Sequence, residues 1–286
     1  MDYLDIEYSA NPGEKLREIL EDIYPLDISE NKSYINKIDS SVLAEGELSS
    51  LVYRSTINFL LRRLITAAVF IKRKCKKNGQ PDESIQNEIK KLINNSFSFP
   101  KSKIDQISHL LFICTRMRKA KINAITEEIV KDRNENLCYI CGRDLDFVNK
   151  QIEADKINGA WAELEHIFPK SMGGSSKLEL NIKYACTKCN KEKKSYIDDS
   201  DYHYEHICFV TDEDDGVDFD CNFEQIIKLA LWSKNQYKCQ FCDQPASRVG
   251  RLHFTRRNPE ENWHFLNIET YCSAHIIMIN KKRNQN

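Results

Sequence analysis

Leu164-Glu165-His166-Ile167-Phe168-Pro169-Lys170-Ser171-Met172-Gly173-Gly174 decides how this chain folds. Upstream of it lies Cys138-Tyr139-Ile140-Cys141; downstream come Asn181 and Cys186-Thr187-Lys188-Cys189-Asn190-Lys191-Glu192-Lys193. A strand that ends on Glu165-His166 sends neighbouring side chains to opposite sides. Pro169 and the Gly-Gly pair then reverse the chain, so a second strand over Leu180–Ala185 returns antiparallel to the first. The knuckles Cys138/Cys141 and Cys186/Cys189 supply the four thiolates of one tetrahedral zinc site. The second knuckle turns the chain into a helix beginning near Asn190. The pattern predicts a hairpin and a helix pinned by a structural zinc.

The residue types suit phosphodiester hydrolysis, which needs a base to take a proton from water and a cation to stabilise developing charge. His166 has an ordinary pKa of about 6.5, so a neutral imidazole is available near pH 7. Glu165, on the other side of the strand, and Asn190, at the start of the helix, offer oxygen atoms to one hard divalent ion. Asn181 can orient His166 or brace the intervening loop. Lys193, one helical turn after Asn190, can reach a phosphate or the leaving oxygen, or belong with Lys188, Lys191 and Lys194 to a solvated face.

The stretch from Leu137 to Tyr196 resembles the HNH endonuclease family, in its four-cysteine, zinc-bound subgroup with a ββα-metal core. An acidic-His-x-x-Pro run, a Gly-Gly turn, an Asn and Cys-x-x-Cys-Asn-x-x-Lys recur in the family's order over about 60 of the 286 residues. Glu165 stands where Asp is commoner. The resemblance implies His166 as general base, Asn181 as structural support, Lys193 as a phosphate contact, and Glu165 and Asn190 as ligands of one catalytic Mg²⁺ or Mn²⁺. It leaves Cys138, Cys141, Cys186 and Cys189 to hold the fold. DNA is the implied substrate, with RNA open. A double-strand break would take a homodimer or two events. Family members with accessory regions often serve restriction or antiviral defence, sometimes beside an ATPase or sensor partner.

The rest of the chain is read around this block. Of eleven cysteines, seven fall in metal-like pairs. Cys239/Cys242 and Cys272/His275 form a second set, expected to bind a second structural zinc. Leu180-Asn181-Ile182 before Cys186 matches Leu266-Asn267-Ile268 before Cys272, so the two blocks read as an internal repeat. The second copy is expected to be degenerate, with Ile276 at the place of Asn190 and Leu252-His253 near that of Glu165-His166. Before Asn134 the pattern is helical, with segments from Pro12 to Ile23, from about Leu48 to Lys77, over Asp82–Asn94 and from Lys103 to about Asp132. Asp198–Asp220 holds ten acids and no Lys or Arg, which reads as a hydrated linker before a short helix from Asn222 to Lys234. His203, His206, Cys208 and Cys221, within or next to that stretch, are too irregularly spaced to suggest a metal site.

The expected architecture is α+β: an all-helical N-terminal domain over residues 1–134, then tandem zinc-bound treble-clef or ββα-metal units. The nuclease block covers 135–197, the acidic linker and short helix 198–237, and the second, degenerate zinc unit 238–286. With 42 basic and 43 acidic residues the net charge is −1, so a nucleic acid must be met by a local patch. The most apolar run, Ile57 to Ile71, contains Arg62 and Arg63 and falls short of the roughly 18 residues of a membrane span. The N-terminus lacks the marks of a signal peptide, and the expected location is cytoplasmic. The competing reading is a noncatalytic zinc scaffold for nucleic acid or protein, or a nuclease subunit active only with a partner.

Overall fold

A computed structural model describes residues 9–26, 47–133, 135–147, 160–202, 208–209, 224–261 and 263–283. Most of the acidic stretch, 203–207 and 210–223, lies outside the described residues, and with it the His203, His206 and Cys221 grouping. The chain forms two compact units. The first comprises 1–132 and 166–182, the second 133–165 and 183–286. These units do not follow the contiguous boundaries that sequence order suggests.

The first unit is built on α1 (Pro12–Ile23), α2 (Glu47–Lys77), α3 (Asp82–Ser96), α4 (Lys101–Met117) and α5 (Ala124–Asp132). α4 is central: α1, α2 and α3 all pack on it. Its Ile104, Ile107, Leu110, Leu111, Phe112, Ile113, Cys114 and Met117 are buried around most of its circumference, as expected of a helix surrounded by others. Burial pushes the Cys114 thiol up to about 12, so it packs as a neutral, apolar group. The segment expected as one helix from Lys103 to Asp132 is two. The chain turns after Met117, and the side chain of Asn123 restarts it by accepting from the Thr126 amide at 2.7 Å, an N-cap.

Residues 166–182 lie on this helical unit because several contacts fix them there. Gly13 N donates to Gly173 O at 3.2 Å, Ser175 N to Asn11 Oδ1 at 2.9 Å, and Lys170 Nζ to Ala120 O at 3.4 Å. Gly173 has φ +90°, and a Cβ there would stand 2.5 Å from Cys114 Sγ. Only glycine tolerates both the backbone and the approach.

The second unit holds β1 (Ala162–His166) and β2 (Ile182–Cys186) apart from the end residues His166 and Ile182, then α6 (Thr187–Lys193), β3 (Cys208–Phe209), α7 (Gln225–Lys234), α8 (Ala246–Val249), β4 (Leu252–Arg256), β5 (Trp263–His264), β6 (Ile268–Cys272) and α9 (Ser273–Arg283). Among the described residues β1 pairs with β2, β4 with β6, and β3 with β5, in three two-stranded sheets. The returning strand of the first hairpin starts two residues later than expected, because Glu179–Asn181 forms a 3-10 turn. Likewise α6 begins at Thr187, directly after Cys186, and α7 at Gln225. The start of the acidic stretch is not a hydrated linker. Asp198 caps a turn through Ser200 N at 3.0 Å, and Asp199, Ser200 and Tyr202 are buried. No described helix is long and apolar enough to cross a membrane. The architecture is mixed α+β, with a helical region followed by hairpins that carry two cysteine clusters.

The two blocks share several hydrogen bonds. Cys138 N donates to Arg143 O and Cys239 N to Gln244 O; Tyr139 N donates to Tyr184 O and Gln240 N to Thr270 O. Asn181 Oδ1 accepts from Phe168 N at 2.8 Å while its Nδ2 donates to Phe168 O; Asn267 does the same with Asn258 N, also at 2.8 Å, and Asn258 O. This register corrects one expectation. β4 pairs Arg256 with Ile268, next to Asn267, so Arg256 and not His253 corresponds to His166, and Thr255 to Glu165. His253 corresponds to Glu163.

Candidate functional site

Cys138, Cys141, Cys186 and Cys189 bring four ligand atoms within 4.8 Å of one another, as do Cys239, Cys242, Cys272 and His275. Cys141 Sγ lies 3.9 Å from Cys186 Sγ. Four sulfurs about 2.3 Å from a central zinc stand about 3.8 Å apart, so the first cluster has the dimensions of a tetrahedral thiolate site. In the second, His275 Nδ1 is 3.6 Å from Cys239 Sγ and 3.1 Å from Cys272 Sγ. Both donor sets are those of structural zinc. They are the two clusters of their kind among the described residues.

Between the arms of the first cluster, β1 and α6 face one another through two polar rungs. Glu163 and Glu165, two residues apart, leave β1 on one side. Asn190 and Lys193, three apart, leave α6 on one side. Asn190 Nδ2 donates to Glu163 Oε2 at 2.7 Å, and Thr187 Oγ1 donates to Glu163 Oε1 at 3.2 Å. Lys193 Nζ donates to Glu165 Oε1 at 3.0 Å, and Tyr139 Oη to Glu165 Oε2 at 2.8 Å. The second rung is deeply buried, with Glu165 6% and Lys193 1% exposed. Burial, and next the Glu165 carboxylate, push the Tyr139 phenol well above its ordinary range, so it stays an O–H donor. Lys193 is therefore set apart from Lys188, Lys191 and Lys194, which are exposed.

In the first unit, His166 Nε2 lies 2.8 Å from Ser176 Oγ, and that hydroxyl donates to Ala120 O at 3.4 Å. Either the ring Nε2–H or the Ser176 hydroxyl can supply the proton of the 2.8 Å contact. Asn181 also donates from Nδ2 to Ser175 O at 3.0 Å, and its Oδ1 accepts from Asn11 Nδ2 at 3.3 Å. Among the other histidines, His109 Nδ1 lies 3.3 Å from Gln86 Nε2 and His264 Nε2 3.3 Å from Glu261 Oε2.

The structure thus gives each expected site residue a partner, but it pairs Asn190 with Glu163 where the sequence suggested sharing with Glu165. Glu163, Tyr139 and Ser176 went unread. Glu163 carried a signal, since a strand residue two before Glu165 shares its face. Tyr139, inside a zinc knuckle, and Ser176, inside a turn, carried none.

These features define a zinc-knuckle protein with a polar cluster of carboxylate, carboxamide and lysine between a hairpin and a helix. A protein-family profile described as HNH endonuclease matches residues 138–201, under a quarter of the chain, and that stretch is an HNH-like domain. No curated protein and no solved structure matches the chain.

Proposed function

We propose that the chain is a divalent-metal-dependent endonuclease that hydrolyses phosphodiester bonds in DNA through the 138–201 block, built as a zinc-bound ββα-metal or treble-clef unit. The observation that carries this is the coincidence of the HNH match with a cluster joining two carboxylates and a carboxamide beside His166 in sequence. The His166 imidazole takes the proton from the attacking water, while Ser176 contacts its Nε2 and Asn181 clasps the loop that follows. Glu165 and Asn190 are the residues that would hold Mg²⁺ or Mn²⁺; their oxygens suit a hard cation. Such an ion, when bound, stabilises negative charge on the phosphate and the leaving oxygen. Lys193 neutralises Glu165, and a shift of its ammonium toward the phosphate would free one Glu165 oxygen. The exposed Lys188, Lys191 and Lys194 provide the local positive face a nearly neutral chain needs. The second block is read as a degenerate copy that keeps a zinc and has Arg256 at the place of the base.

The test is nicking of supercoiled plasmid by the full chain with Mg²⁺ or Mn²⁺, beside His166→Ala. Loss of a general base is expected to slow cleavage about 10²–10⁴-fold. Equal nicking by both proteins removes His166 from the chemistry.

The closed Glu165–Lys193 pair favours a second reading, a zinc scaffold or a nuclease subunit silent until a partner opens the cluster. Two zincs per chain with no cleavage in any metal would select it.

A further inference from the structure

We infer that Glu163 is a positioning residue that fixes which end of the Asn190 carboxamide is presented to a divalent cation. The inference rests on the nuclease reading in assigning Asn190 to the ion. A carboxylate only accepts hydrogen bonds. With Glu163 Oε2 2.7 Å from the Asn190 amide nitrogen, the carboxamide must turn its nitrogen to β1 and its oxygen the other way. A hard cation takes oxygen and not an amide nitrogen, so this hydrogen bond selects the ligating orientation. The one hydroxyl hydrogen of Thr187 is shared between the other Glu163 oxygen at 3.2 Å and Trp161 O at 3.3 Å.

The second block separates this role from a structural one. There the contact between the strand and the first helical residue persists, His253 Nε2 lying 3.1 Å from Ser273 Oγ where Glu163 meets Thr187. What is gone is the carboxamide, replaced by Ile276, and with it the carboxylate. Bridging strand to helix therefore does not require an acid at this place. A glutamate is present where there is an asparagine to orient.

Mn²⁺ binding to the zinc-loaded full chain, followed by electron paramagnetic resonance, tests this alongside plasmid nicking at graded Mn²⁺. Glu163→Ala is expected to keep two zincs and its melting temperature, bind Mn²⁺ about 10–100-fold more weakly, and regain most of its cleavage rate at high Mn²⁺. Glu163→Gln, which can still accept from Asn190 but can also donate, falls between. Should Glu163→Ala lose zinc, the Gln variant carries the test. Wild-type affinity in a folded Glu163→Ala, or in Glu163→Gln where that variant stands in, overturns the inference and leaves the nuclease reading intact. Mn²⁺ binding that Asn190→Ala abolishes, with the Glu163 effect but without cleavage of any nucleic acid, overturns the nuclease reading alone. A wild-type chain that neither binds Mn²⁺ nor cuts overturns both.

Discussion

Lys193 is among the most deeply buried of the described side chains, and its ammonium lies 3.0 Å from the Glu165 carboxylate. Removing one member of a buried pair leaves the other charged and desolvated, at a cost of about 3–5 kcal/mol, whereas removing both is often near neutral. Lys193→Met should therefore be strongly destabilising in urea unfolding, and adding Glu165→Gln should recover much of the loss. An additive double variant would show that the pair is not coupled. Sequence placed Asn190 and Lys193 on one helix face, and the structure agrees. It could not show that the face is buried, because the charge run Lys188 to Lys194 reads the same whether its lysines point to water or to β1. Burial is set by the partner element, and Tyr139, the second donor to Glu165, comes from 26 residues away.

At the scale of elements, helices were the most legible part. α1 matches the expected segment at both ends, and α2 and α3 within two residues, because apolar spacing and Pro or Gly stops mark them. The break between α4 and α5 was missed, since Ile122 and Ile125 continue an apolar pattern across it. What interrupts the helix is Asn123, whose side chain satisfies the Thr126 amide. Asn123→Ala should cost about 1 kcal/mol, seen as a lower melting temperature of the helical unit, with Asn123→Asp near wild type. If Asn123→Ala is neutral, the break owes nothing to the cap. The repeat was legible in its knuckles and in its Leu-Asn-Ile strand starts, but its first strands were misaligned. The spacing from first knuckle to strand differs between the copies, so only the hydrogen-bond register, through Asn181 and Asn267, fixes that His253 matches Glu163.

For the whole molecule, contiguous sequence blocks proved a poor guide to units. Residues 166–182 cluster with the helices, and the chain passes from one unit to the other after Glu165. Gly13 and Gly173 explain why: a close backbone approach between distant segments leaves no periodic trace in sequence. Both cysteine clusters lie in the second unit, where core and metal sites are one structure; at the crowded knuckle, a Cβ on Gly142 would meet Gly250 O at 2.0 Å. Since structural zinc contributes folding free energy directly, its removal should unfold hairpins and leave α1–α4 helical. The two sites should not empty together. All four cysteines of the first cluster are buried, whereas Cys242 and His275 of the second are partly exposed. A chelator titration followed by zinc release should therefore be biphasic, and the faster phase should vanish in Cys272→Ser and persist in Cys186→Ser. Circular dichroism should keep most of its helical signal through the first phase, because α1–α4 belong to the other unit. A single phase, or a fast phase lost on Cys186→Ser, would show that access does not set the order of release.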